Sequence, residues 1–300
     1  MRSTTSSTAT ANGVISATAY DSRTRHNQNV ADPRADIAGV FDRAAETYDA
    51  VGVDFFGRIA GYLLGDLALQ PGERVLDIGT GRGAVLLPAA AAVGATGHVT
   101  GIDLAAGMVS ATQADINNNG IANADVRIDD AQEPTLDPSS YDVITASLVL
   151  FFLPDPPAAL RRYRNALRPG GRIGFTTFAG DDPRWSWMEE GRKRFMGEAG
   201  QPPPGAKHFA NDETITSLVT SAGFVDVVHH RYVFDVRFDN VDQWWRWTWS
   251  QGMRVVWEKL DDDAMATVRT YIDEHLKTIA NPDGSIIYVQ PVRTTVATRD

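Results

Sequence analysis

The run VLDIGTGRGAV, from Val75 to Val85, constrains this chain more than any other segment. Val75, Leu76 and Ile78 read as the end of a buried strand, interrupted only by Asp77. Gly79, Gly81 and Gly83 then permit the tight turn and close backbone approach that side chains would block. The following AVLLPAAAAVGA is rich in helix formers and predicts a helix opening at the turn, with Pro88 marking an irregularity in its first turns. Strand, glycine turn and helix N-terminus together make a nucleotide-binding crevice at the carboxyl end of a strand.

This turn fits two fingerprints. Gly79, Gly81 and Ala84 satisfy the G-x-G-x-x-G/A spacing of dinucleotide binders. Asp77, two residues before the first glycine, suits a ligand with a positively charged amino-acid tail better than a pyrophosphate, which a carboxylate would repel. About twenty residues further on, HVTGIDLAAGMV carries a short apolar strand ending in Asp103, where a carboxylate accepts both ribose hydroxyls.

The downstream chain separates the two. VFDRAAETYDAVG, VLDIGTGRGAV, GIDLAAGMV and VRIDDAQEPTLDPSSYDVITASLVLFFLPDPPAALRRYRNALRPGGRIGF follow one another in order. Over about Gly39 to Thr177 the chain resembles the class I S-adenosylmethionine-dependent methyltransferases, of the small-molecule, natural-product type. The resemblance implies a Rossmann-like α/β fold: a seven-stranded, mostly parallel sheet with a C-terminal antiparallel hairpin and an inserted helical cap. It implies S-adenosyl-L-methionine as cofactor, held by Asp77, Gly79, Thr80, Gly81 and Gly83 of the turn and by Asp103, Leu104 and Met108 after the second strand. Asp130 and Ala131 would flank the adenine, with Ser147 and Leu148 beside the methionine portion. Tyr48 matches the aromatic that folds over the cofactor, and LRPGG matches the turn before the fifth strand.

Composition narrows the class. A 43% hydrophobic content over 300 residues is ordinary for a water-soluble domain, and no run approaches the ~18–20 apolar residues of a membrane span. MRSTTSSTATANG lacks the apolar core of an export signal, and the chain has no cysteine, so a cytoplasmic location is expected. A net charge of −10 disfavours nucleic acid as a partner; RRYR at Arg161–Arg164 reads as a solvated helix face. Neither nucleic acid nor membrane is expected as partner; a homo-oligomer is compatible with the composition.

Three regions are expected within one structural domain: a flexible arm (1–35), a cofactor-binding half (36–180) and a completion of the sheet carrying an aromatic substrate cap (181–300). The second opens on a helix with Ile37, Val40, Phe41, Ala44 and Ala45 at helical spacing. In the third, NDETITSLVTSAGF reads as a capped helix, and VDVVHHRYVFDVRF and SIIYVQPVRTTVATR read as strands. All seven tryptophans lie here: Trp185, Trp187, Trp244, Trp245, Trp247, Trp249 and Trp257. FDNVDQWWRWTWSQGMRVVWEKL, taken as one helix, puts Val241, Trp245, Thr248, Trp249, Gly252, Val256 and Leu260 on a single stripe, with Trp244, Trp247 and Arg254 elsewhere.

Such a cap suits a flat, apolar acceptor, for which Tyr20, Phe151, Trp185, Trp187, Trp245 and Trp249 are the candidate contacts. Methyl transfer from a sulfonium demands chiefly that the acceptor be held on the methyl axis. A base is required only where the acceptor must lose a proton, and His208, Glu190 and Tyr20 are the candidates. His229 and His230, adjacent on a strand, point to opposite faces, and no spacing resembles a metal cage, so no metal is expected. The apolar cap, with no metal site or base dyad, leans the expected reaction towards carbon, with oxygen or nitrogen methylation, or a non-methylating S-adenosylmethionine-binding cyclase or scaffold, as alternatives.

Overall fold

A computed structural model describes residues 33–197 and 202–300. Tyr20 and most of the N-terminal arm lie outside the described residues. The strands, in chain order, are β1 (Arg74–Ile78), β2 (His98–Asp103), β3 (Ala124–Ile128), β4 (Tyr141–Ser147), β5 (Leu167–Phe178), β6 (Val225–Phe238) and β7 (Ile286–Thr298). The helices are α1 (Pro33–Ala44), α2 (Phe56–Leu67), α3 (Leu86–Val93), α4 (Ala106–Asn118), α5 (Pro156–Ala166), α6 (Trp187–Gly191), α7 (Asp212–Ser221), α8 (Val241–Trp249), α9 (Arg254–Trp257) and α10 (Asp262–Ile279).

The strands form one sheet in the order β3-β2-β1-β4-β5-β7-β6. The first five run parallel, and β7 is antiparallel to both its neighbours. Because β1 pairs with β2 on one side and β4 on the other, the strand order reverses there, and a crevice opens at the carboxyl ends of β1 and β4. The expected Rossmann-like architecture is therefore present.

Local sequence accounts for the elements. Val75, Leu76 and Ile78 are fully buried, as a central strand covered on both faces requires. α2 buries Ile59, Ala60, Leu63 and Leu67, a stripe at spacings of three and four. Pro88 is the third residue of α3, where its missing N–H would have had no helical partner anyway. Asp155 caps α5 through the Ala158 N–H ahead of two prolines, and Asn211 with Thr214 forms a capping box on α7. The LRPGG turn survives as an irregularity within β5, paired after a register shift between Tyr141 and Val143. No helix of the described residues is long and apolar enough to cross a membrane.

The last two strands form the expected antiparallel pair, and α8, α9 and α10 make up the connection between them. β6 runs in the same direction as β5, so this insertion leaves the sheet at the same edge as the crevice. The cap accordingly draws on two insertions, one after β5 and one after β6, and five of the seven tryptophans belong to the second.

The aromatic segment is not one helix. α8 stops at Trp249, where the Ser250 N–H donates to the carbonyls of Arg246 and Trp247 and its hydroxyl donates to Trp247. α9 resumes at Arg254. Nor is burial confined to one stripe. Trp244, Trp245, Trp247 and Thr248 are all buried, because α8 is wedged among Trp185, Trp257, Phe55 and Phe238.

Candidate active site

The glycine turn is held from below. Asp77, almost fully buried, accepts a hydrogen bond from the Thr80 hydroxyl at 2.7 Å and another from the Thr145 hydroxyl at 2.7 Å. Burial pushes its carboxyl up to about 6, against the pull of those two hydroxyls. The carboxyl therefore binds a proton more readily in the folded than in the unfolded chain. It costs stability as pH rises from about 4 to about 6, and fully above that. Asp77→Asn retains one acceptor and one donor for the two threonines and removes the buried charge. It is expected to be about 1–3 kcal/mol more stable than the native protein at pH 8, a gain that vanishes near pH 4. Urea unfolding at the two pH values checks this; a variant less stable at pH 8 would show that the threonines need the charge.

Gly79, Gly81 and Gly83 all have positive φ, at 62°, 53° and 77°. Their surroundings differ. A Cβ on Gly79 would lie 2.4 Å from the Val149 side chain, so this glycine admits the turn after β4. A Cβ on Gly81 would meet only the Tyr48 ring, at 3.9 Å, and would project into open space beneath that ring. Thr112 holds the Gly81 carbonyl at 2.7 Å from the far side.

At the end of β2, the Asp103 carboxylate accepts the N–H of Gly81 on one oxygen and that of Ala105 on the other, both at 2.9 Å. Burial raises its pKa, opposed by these backbone donors. Each oxygen keeps an acceptor lone pair, the arrangement a vicinal diol needs. Leu104 and Ile128 stand exposed beside it, apolar side chains at strand ends that can flank a flat ring. The loop after β3 is locked: Asp130 accepts the Gln132 N–H at 2.8 Å, and the Ala131 carbonyl accepts the Tyr163 hydroxyl at 2.5 Å. Met108 is buried with Ala45 and Ala105 under Phe41 and Tyr48.

Tyr48 is brought over the turn by contacts that sequence reading did not find. Arg82 donates to the Ala45 carbonyl at 2.8 Å and pairs with Asp115 at 2.7 Å, and Asp42 accepts the Gly107 N–H at 2.7 Å. α1 is thereby clamped to α4. The Tyr48 ring stacks on Phe56 at 4.6 Å, and burial, with Asp103 and Asp49 nearby, raises its hydroxyl pKa. On the other side, Leu148 takes a left-handed φ of 56°, costly for a branched residue. Its N–H and the Ser147 hydroxyl both meet the buried Thr176 hydroxyl at 3.0 Å, which fixes the strained turn.

An arc of rings crosses the carboxyl ends of these strands. From Tyr48 it runs to Phe41 (6.1 Å), Phe152 (6.0 Å), Phe151 (4.7 Å) and Phe178 (5.7 Å), the last of them exposed at the end of β5. Phe151 was read from sequence; Phe41, Phe152 and Phe178 were not given this role. Phe178 was findable as an apolar residue at the carboxyl end of a strand beside the crevice.

The tryptophans behave differently. Trp185 stacks on Trp187 at 5.6 Å, Trp187 on His275 at 4.9 Å, and Trp245 donates to Asp273 at 2.7 Å, all within a buried cluster. The indole N–H groups of Trp187, Trp247 and Trp257 have no acceptor among the described residues, at a cost of ~1–3 kcal/mol each. Trp249 is only partly buried. His208 sits in the 3-10 turn Pro204–Phe209, which packs on the Leu150–Phe152 turn so closely that a Cβ on Gly205 would lie 2.8 Å from the Phe151 carbonyl. Glu190 is exposed on α6. His229 bonds the hydroxyls of Thr216 and Thr295, while His230 faces Asp66, on opposite faces of β6.

Strand order, glycine turn and the acid at the end of β2 define a Rossmann-like domain for a nucleoside cofactor. Residues 54–230 match the family described as "Methyltransferase domain". The chain is 37% identical to nocamycin O-methyltransferase of Saccharothrix syringae, over 84% of this chain and 95% of that one. It is 42% identical to an aklanonic acid methyltransferase of a Streptomyces species, over 47% of this chain and 64% of that one. In fold it is similar to phosphoethanolamine N-methyltransferase 2 of Haemonchus contortus in complex with S-adenosyl-L-methionine (TM-score 0.57, 18% identity, 90% of this chain and 60% of that one). It is also similar to the YcgJ protein of Bacillus subtilis (TM-score 0.57, 16% identity, 81% and 98%). The chain belongs to the S-adenosylmethionine-dependent methyltransferases and acts on a small molecule.

Proposed function

We propose that the protein methylates an oxygen atom of a flat, apolar small molecule of specialised metabolism. The observation that carries this reading is the 37% identity to nocamycin O-methyltransferase over 84% of the chain. Coverage of that extent reaches beyond the first 180 residues into the segments that form the cap. It replaces the sequence-based lean towards carbon, which rested on the apolar cap and the missing metal and base dyad; the carbon methyltransferase among the relatives, UbiE of Vibrio parahaemolyticus, matches only 46% of this chain at 31% identity.

The site fits the cofactor on its own geometry. Asp103 would hold the ribose, Leu104 and Ile128 would flank the adenine, and the Gly79–Gly83 turn, Ser147 and Leu148 would line the amino-acid portion under Tyr48. When bound, S-adenosylmethionine supplies a methyl group already activated by its sulfonium. The chain contributes position. The arc from Tyr48 to Phe178 offers ring faces and edges to a flat acceptor, and the rigid turns fixed by Asp77 and Thr176 set the approach. Of the groups considered for removing a proton, His208 belongs to the turn packed against Phe151, Glu190 faces solvent on α6, and Tyr20 lies outside the described residues. An acceptor that is already ionised needs none of them.

The test is to incubate the protein with S-adenosylmethionine labelled at the methyl carbon and a panel of aromatic polyketide acceptors carrying both hydroxyl or carboxyl groups and nucleophilic ring carbons. Mass spectrometry and carbon NMR are expected to show a labelled O-methyl product with equimolar S-adenosylhomocysteine. Label bonded to carbon or nitrogen would overturn the assignment.

A further inference from the structure

Along α8 lies an open groove of about 520 Å³, within the size range of small-molecule pockets. Thr47 and Val51, on either side of Tyr48, form one wall. The others are Asp242, Trp245, Arg246 and Trp249 of α8, Arg254 of α9 and Arg269 of α10. The guanidinium of Arg269 lies 5.2 Å from the Trp245 ring centroid and that of Arg254 lies 5.8 Å from the Trp249 ring. The groove thus combines flat apolar faces with fixed cations, on a chain whose net charge is −10.

The charges are not equally available. Arg254 is neutralised by Glu258 at 2.7 Å and also donates to the Arg43 carbonyl at 3.0 Å. Arg269 has carboxylates at 3.9 Å (Asp242) and 3.8 Å (Asp273), beyond hydrogen-bond length, and one Asp273 oxygen already accepts the Trp245 N–H. Asp242 lies on the groove wall and is the one acid there. Arg246 is exposed, and its guanidinium has no hydrogen-bond or ion-pair partner among the described residues. One whole guanidinium, that of Arg246, is therefore free on a groove that also carries two indole rings, and a second, that of Arg269, meets its carboxylates only beyond hydrogen-bond length.

A planar guanidinium matches a carboxylate with two parallel hydrogen bonds, and indole faces match a fused ring system. We propose that this groove binds an aromatic carboxylate, with Arg246 as its principal charge partner, Arg269 as the second donor and the rings of Trp245 and Trp249 as its flat walls. The groove shares no lining residue with the ring arc that faces the acceptor, so as an anion site it stands independently of the proposed O-methylation.

The probes are naphthalene-2-carboxylate and its neutral carboxamide, measured by equilibrium dialysis against the full chain saturated with S-adenosylhomocysteine. The carboxylate is expected to bind about tenfold more tightly than the carboxamide. Arg246→Gln is expected to remove most of that preference and Arg246→Lys to keep part of it, with S-adenosylhomocysteine affinity and Tm unchanged in both. Equal binding of the two probes to the native protein, or an undiminished preference in Arg246→Gln, overturns the proposal. Dialysis requires no methyl transfer, so the two readings fail separately. A protein that prefers the carboxylate yet methylates carbon refutes the oxygen assignment and keeps the groove. One that O-methylates a panel of acceptors but binds both probes equally refutes the groove.

Discussion

Asp103→Ala is expected to weaken S-adenosylmethionine binding by ~1.5–3 kcal/mol, roughly ten- to a hundredfold, with the protein still folded. Two effects add in the same direction. The acceptor for the ribose hydroxyls is lost, and the Gly81 and Ala105 N–H groups, both bonded to this carboxylate at 2.9 Å, are released. Asp103→Asn separates them, because its amide oxygen still accepts from one of these backbone donors while the charge is gone. The side chain sits at the surface end of β2, and burial already raises its pKa, so removing the charge lifts a desolvation penalty and does not endanger the fold. Titration calorimetry with S-adenosylhomocysteine, beside a thermal melt, decides the matter. An unchanged affinity in Asp103→Ala would remove this carboxylate from the cofactor site.

Asp103 was legible in the sequence because its signal is local: an acid ending an apolar run about twenty residues after a glycine turn. Gly79, Gly81 and Gly83 were legible for the same reason, and their positive φ values follow from a sharp strand-to-helix turn that only glycine makes cheaply. The clamp by Arg82 was not legible. Its partners, the Ala45 carbonyl and Asp115, lie 37 and 33 residues away in sequence, and an arginine inside a glycine loop looks like any solvated side chain. Thr176 is hidden likewise, as one threonine in a strand that pairs in register with Ser147. The aromatic segment shows a different failure. Helical periodicity continues across Ser250–Met253, yet Gly252 sits in the break against Phe41 and Phe152, at 3.7 and 3.8 Å from its would-be Cβ. A glycine after the last periodic tryptophan was the available stop signal, and tertiary packing decided in its favour.

Packing also separates the tryptophans by consequence. Trp257→Ala is expected to cost ~3–5 kcal/mol of stability, the largest loss among these rings, and to lower Tm by roughly 10 °C or more. Its side chain is about 1% exposed, tilts against Trp245 at 5.5 Å, and lies in the cluster that also takes in Phe238, Val268 and Ile272. The unsatisfied indole N–H offsets part of the cost, so the lower half of that range is the better expectation. Trp249→Ala should behave in the opposite way. That ring is partly exposed beneath Arg254 on the groove wall, so its removal is expected to cost about 1 kcal/mol or less and to weaken binding of naphthalene-2-carboxylate instead. Urea unfolding of the two variants, with S-adenosylhomocysteine binding as the control for a native cofactor site, gives the comparison. Equal stability losses would mean that Trp249 is part of the core. A stable Trp257→Ala protein with impaired acceptor binding would place the acceptor deeper in the cap, among the buried rings.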